Sequence, residues 1–110
     1  MMSGRFSNLG EVLPMPHVAE FCRRWRITRL EIFGSALRDD FDSNSDVDLV
    51  ATYAPDVHWS LLDRSRMRLE LESLLGRSVD LLNRRALEKA VHQQRAAEIL
   101  AQAQPVYAEP

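Results

Sequence analysis

A chain of 110 residues is long enough for one modest core and too short for a catalytic domain plus a separate substrate domain, so any substrate must bind on its surface or on a partner. The 14 Lys and Arg against 16 Asp and Glu give a net charge of −2 with both signs interspersed, which removes the overall electrostatic case for gripping a polynucleotide backbone. One cysteine, Cys22, excludes an internal disulfide, and no apolar run is long enough for a signal segment or a membrane span, so a cytoplasmic location is the expectation.

Residues 1–13 carry Gly4, Asn8 and Gly10 without sustained periodicity and read as a mobile leader to a single domain over residues 14–110. Pro14 and Pro16 mark a helix start, and Val18, Phe21, Cys22 and Trp25 at i, i+3, i+4 and i+7 form one apolar stripe. Ile27 to Phe33 is a predicted strand that runs into Gly34-Ser35, a turn able to bring backbone amides close to a phosphate, with a short helix from Ser35 to Asp39 behind it. Asp40 to Ser45 is a polar loop. In the segment after it, Val47, Leu49 and Ala51 alternate with Asp46 and Asp48, a half-buried strand with both carboxylates on one face.

A long helix is predicted from about His58 to Leu75, capped by Gly76, with Met67, Leu71, Leu74 and Leu75 as its core stripe and Leu62 and Leu69 widening it. Ser78 to Leu82 repeats the strand pattern, Val79 and Leu81 inward, so Asp80 can share the side of Asp46 and Asp48. Arg84 to Ala103 is helical with a break near His92, and Pro105-Val106-Tyr107 suggests a closing edge strand. The fold class is therefore α/β, a small mixed β-sheet flanked by helices that pack mainly on one side.

Two carboxylates about 6.6 Å apart along a strand repel unless a cation lies beside them, and all-oxygen ligands favour magnesium or manganese over zinc. A phosphate-holding turn, ten residues, two strand aspartates and a third on a later strand are together the equipment of two-metal phosphoryl or nucleotidyl transfer. A calcium loop on Asp40, Asp42 and Asn44 fails because its sixth position is Ser45 rather than glycine and its twelfth is Ala51 rather than glutamate. No Gly-Lys-Ser/Thr follows the turn, so a P-loop is excluded. His17, His58 and His92 lack ligand spacing, Arg64, Arg66 and Arg68 span two helix faces, and Tyr53, Trp59 and Tyr107 read as packing or interface residues.

Gly34-Ser35, ten residues, then Asp46-Val47-Asp48 resembles the signature of the polymerase-β nucleotidyltransferase superfamily, and the short chain is similar to its minimal branch, the MntA-like antitoxins. The likeness runs from Ile27 to Tyr107 and includes Phe33 to Phe41 and Leu74 to Leu82. It implies a polymerase-β-like fold in which Asp46 and Asp48 bridge two Mg2+ ions, with Asp80 completing one metal site and accepting a proton. By the same resemblance, Gly34 and Ser35 hold the triphosphate. Arg38 either neutralises the leaving phosphates, faces a partner, or is a surface arginine paired to a nearby acid. The implied activity is transfer of AMP from ATP onto a tyrosine of a cognate HEPN-domain ribonuclease toxin, within a hetero-oligomer and without direct polynucleotide binding. A binding-only antitoxin that occludes its toxin, a small-molecule adenylyltransferase, and the catalytic half of a two-subunit transferase are the other readings.

Overall fold

The computed structural model describes residues 13–37 and 45–109, with Ser35 described in its backbone alone. Helix α1, Met15–Arg24, starts with Pro16 in its first turn, where a missing N–H costs nothing, and buries Val18, Phe21 and Cys22. Leu13, at the end of the expected leader, is itself buried against this core. The chain leaves α1 through Arg26, a non-glycine residue at φ 57°, and enters strand β1, Ile27–Phe33.

A single 3-10 turn, Gly34–Leu37, follows β1. Strand β2 covers Val47–Tyr53, helix α2 Leu61–Leu75, strand β3 Val79–Asn83, helices α3 and α4 Arg84–Lys89 and Gln94–Gln102, and strand β4 Gln104–Ala108. The sheet order is β3-β2-β1-β4, with β2 parallel to β3 and β1 antiparallel to both β2 and β4. Mixed α/β architecture, the break after α3 and the closing edge strand all match the sequence expectation.

Alternation along β2 sorts the two faces of the sheet. Val47, Leu49, Ala51 and Tyr53 join Phe21, Cys22, Met67 and Leu71 in one core under α1 and α2. Val50, on the face of Asp48, joins Phe33 and Ile99 in a second cluster edged by Leu82, Leu87 and Ala103. Helices therefore lie on both faces, not mainly on one: an apolar Val50 among the aspartates needs cover, and the Ile99 stripe of α4 supplies it.

Two further expectations for α2 are corrected. The helix begins at Leu61 rather than near His58, because Ser60 and Asp63 form a reciprocal capping box: the Ser60 hydroxyl accepts from the Asp63 N–H at 3.1 Å and Asp63 accepts from the Ser60 N–H at 3.1 Å. Leu62 and Leu69 do not widen the core stripe; they are 61% and 56% exposed. At about 100° per residue Leu69 lies about 200° around the helix from Met67, the opposite face. The α1–α2 seam is held instead by Glu70, which accepts from Arg24 and, at 2.9 Å, from the Trp25 indole; the Trp59 indole donates to the Trp25 carbonyl at 2.9 Å. The Arg24 hydrogen bond, aided by that of Trp25 against the cost of burial, holds the Glu70 carboxyl below its ordinary range.

Glu31 is the buried acid of the described residues, and it ties β1 to the start of α3 through Arg84 Nη1 at 2.7 Å, with Arg29 Nη2 at 3.5 Å. Removing one partner of such a pair strands the other in a poor dielectric. Glu31→Gln is expected to lower stability by about 2 kcal/mol, below the usual range for a buried pair because Arg84 keeps some solvent. Asp56→Asn, at the exposed Arg26 pair, should cost under about 0.5 kcal/mol. Urea unfolding of the two variants measures both, and equal midpoints would contradict the assignment.

Candidate active site

The parallel pairing of β2 with β3 places Asp48 opposite Asp80, so the two carboxylates leave the same face of neighbouring strands. Asp46 stands immediately before β2, two residues from Asp48 and in phase with it. Asp48 also lies opposite Phe33, the last residue of β1, which delivers Gly34 to its side. Asp46 and Asp80 are exposed, Asp80 on an edge strand open to an incoming molecule, whereas Asp48 is half-buried between strands.

Gly34 is required here on two counts. Its φ of 75° lies in the left-handed region, and a Cβ at this position would stand 2.4 Å from Asp48 Oδ2. The glycine backbone and the central carboxylate are thus in direct apposition, a closer relation than the sequence motif reveals.

The loops that carry the acids are tied to one another. Arg77 Nη1 donates to the Ser45 carbonyl at 3.1 Å, and Val47 N–H donates to the Ser78 carbonyl at 2.9 Å. Glu72 of α2 accepts from the Val79 N–H at 3.0 Å and from Arg68 Nη1 at 2.9 Å, fixing the start of β3 one residue before Asp80. These ties hold the backbone on either side of Asp46 and immediately before Asp80.

A cleft of about 450 Å³ opens over this end of the sheet, lined by Phe33, Gly34, Ser45, Asp46 and Asp48 and, from α4, by Arg95 and Gln102. Arg95, Ile99 and Gln102 fall at i, i+4 and i+7, so packing Ile99 onto Phe33 and Val50 turns its two polar neighbours toward the acids. Neither was singled out from the sequence. The 95/99/102 spacing was available, but it points to a site only once α4 is known to cover the Asp48 face. Arg38, the Ser35 side chain, Asp40, Asp42 and Asn44 lie outside the described residues.

Among the described residues no three His, Cys, Asp or Glu side chains are gathered so as to hold a metal ion. The donor set is an open one, and that suits magnesium, which takes one or two carboxylates plus water and phosphate oxygens rather than an all-protein cage. The histidines are exposed in separate elements, as expected. Burial pushes the Cys22 thiol up to about 12, against a smaller opposing influence of Arg23, so it is a packing group and no nucleophile.

Residues 16–104 match the family model for the nucleotidyltransferase domain. The chain belongs to that family. A provisionally named protein adenylyltransferase of Methanocaldococcus jannaschii is 39% identical over 56 residues, covering 51% of this chain and 58% of the relative, so the match spans little more than half of that protein. The solved structure of a provisionally named minimal nucleotidyltransferase shares 33% identity and superposes with a TM-score of 0.62, covering 83% of this chain and 87% of that one. Two toxin–antitoxin complexes share the fold at lower identity. One, crystallised with AMP-PNP, is 20% identical with a TM-score of 0.67, covering 87% of this chain and 74% of its own. The other, a tri-AMPylated Shewanella oneidensis HEPN toxin with its MNT antitoxin, is 19% identical with a TM-score of 0.59, covering 92% and 71%. The polymerase-β-like nucleotidyltransferase fold anticipated from Gly34-Ser35 and Asp46-Val47-Asp48 is the fold of this chain. No helix among the described residues is long and apolar enough to cross a membrane.

The Gly34–Asp48 apposition has a measurable signature. Gly34→Ala should destabilise the fold by about 2 kcal/mol or more, roughly 1 from the left-handed backbone and the rest from displacing Asp48. In an Asp48→Ala background the same substitution should cost only the backbone part. Additivity of the two substitutions in urea denaturation would show that the contact carries no energy.

Proposed function

We propose that this chain is a magnesium-dependent adenylyltransferase that transfers AMP from ATP onto a tyrosine hydroxyl of a cognate HEPN-domain ribonuclease toxin, and that it acts as the antitoxin. The observation that carries this reading is the registered pair Asp48 and Asp80, with Asp46 beside it and Gly34 against it, where Asp46, Asp48 and Gly34 line one cleft. The AMP-PNP complex and the AMPylated HEPN toxin found with related antitoxins support ATP as donor and a HEPN protein as acceptor.

In this reading Asp46, Asp48 and Asp80 would hold magnesium, which supplies neutralisation of phosphate charge and acidity to a bound hydroxyl. The protein's own contribution is positioning. Gly34 and Ser35 present the first amides of the 3-10 turn to the triphosphate, and Arg95 reaches the same cleft from α4 to balance phosphate charge while Arg38 serves the same end or meets the partner. Asp80, exposed on the edge strand, accepts the proton of the acceptor hydroxyl as its oxygen bonds to the α-phosphorus and the bond to pyrophosphate breaks. An edge position suits an acceptor carried on another protein, because the acceptor can approach without crossing the nucleotide.

Four substitutions separate the roles. Asp46→Asn and Asp48→Asn should abolish transfer with the fold retained, since each removes a charged ligand. Asp80→Asn should keep the rise in melting temperature produced by ATP with magnesium, yet lower transfer of the labelled α-phosphate by about 10²–10⁴. Arg95→Ala should raise the ATP concentration needed, more than it lowers the maximal rate. If Asp80→Asn and Asp46→Asn neutralise the toxin in cells as well as wild type, neutralisation is by occlusion and the chemical reading fails.

A further inference from the structure

A second cavity, of about 370 Å³, lies at the far end of the sheet from the aspartates. It opens beyond Tyr53 and Asn83, the last residues of parallel strands β2 and β3, the edge of an open α/β sheet at which ligands commonly gather. Arg64 of α2 and Arg85 and Lys89 of α3 converge on it, with His58 and Trp59 completing the wall, and no carboxylate lines it. Among the described residues none of these three cations forms an ion pair. Three like charges brought to one exposed cavity from two helices, in a chain of net charge −2, make a local positive field that favours an anion.

The pocket is also partly preorganised. Arg85 Nη2 donates to the Tyr53 carbonyl at 2.8 Å, and Asn83 Oδ1 accepts from the Arg85 N–H at 2.9 Å. The Tyr53 carbonyl is neutral, so it fixes the guanidinium without cancelling its charge, while Asn83 caps the helix at the Arg85 backbone and keeps its amide NH2 as a donor. Less ordering remains to oppose binding. Arginine forks with a lysine point charge suit phosphate oxygens better than a lone carboxylate, and the volume is that of a small-molecule pocket.

We propose that this pocket is an anion site, separate from the Asp46–Asp48 cleft, that takes a phosphate-bearing small molecule. Phosphate could come from a nucleotide, using the Trp59 wall for the base, or from an inorganic source such as the pyrophosphate released by nucleotidyl transfer.

Trp59 lines the pocket and its ring centroid is 5.1 Å from that of Trp25, so the two tryptophans of the chain report on it directly. Intrinsic fluorescence of the full chain is titrated with inorganic phosphate, pyrophosphate and AMP, without magnesium. The expected result is a saturable change that persists in Asp48→Asn and weakens at least tenfold in Arg85→Gln/Lys89→Gln. Arg64→Gln/Lys89→Gln, which leaves the Arg85–Tyr53 contact intact, should weaken it likewise. Tighter binding of AMP than of pyrophosphate identifies the nucleotide as source, and the reverse identifies the inorganic one. Absence of a saturable change up to about 10 mM, an equal response to acetate, or a response lost in Asp48→Asn but kept in both pocket variants would overturn the proposal.

Discussion

A carboxylate pressed against a glycine backbone is the contact on which the candidate site depends. Asp48 has Gly34 on one side and Asp80 on the strand at its other side, and a Cβ on Gly34 would fall within 2.4 Å of its oxygen. The close approach places the turn that follows β1 directly over the central acid. It follows from the antiparallel pairing of β1 with β2, which sets Phe33 opposite Asp48 and so brings Gly34 to the side of the acid. Neighbouring like charges on Asp46, Asp48 and Asp80 are unfavourable by themselves, and Arg77 and Glu72 tie down the backbone segments that carry Asp46 and Asp80.

The remaining architecture can be understood as support for that arrangement. The core under α1 and α2 anchors β1 and β2 from below through Leu30, Ile32, Leu49 and Ala51. Above, α4 covers only the part of the Asp48 face that is apolar, and the buried Glu31–Arg84 pair pins the start of α3 to β1. A small sheet with both faces covered at one end and one face open at the other yields a rigid cleft without a second domain. The same economy leaves the far end of the parallel strands free for the basic pocket.

Much of this was legible in the sequence, for identifiable reasons. Strict alternation in Val47-Asp48-Leu49 and Val79-Asp80-Leu81 determines which way the aspartates face, whatever the tertiary context, and the Gly34-Ser35 spacing carried the resemblance to the family to which the chain belongs. What was not legible required knowledge of neighbours. Val50 breaks the alternation of β2 with an apolar residue on the acidic face, but only the fold shows which helix covers it. Leu69 looks like a core residue by composition and is set outward by helical geometry. Arg95 and Gln102 are ordinary polar helix residues until Ile99 is seen to dock on Phe33 and Val50.

The central claim is that these residues constitute an enzyme directed at a protein hydroxyl rather than a binding surface. Intact-mass analysis of a candidate HEPN-domain partner, incubated with this chain, ATP and magnesium, tests that claim most directly. The account predicts additions of whole AMP units to a tyrosine, absent when magnesium is chelated. An unmodified partner that nonetheless forms a stable, inactive complex with this chain would contradict it.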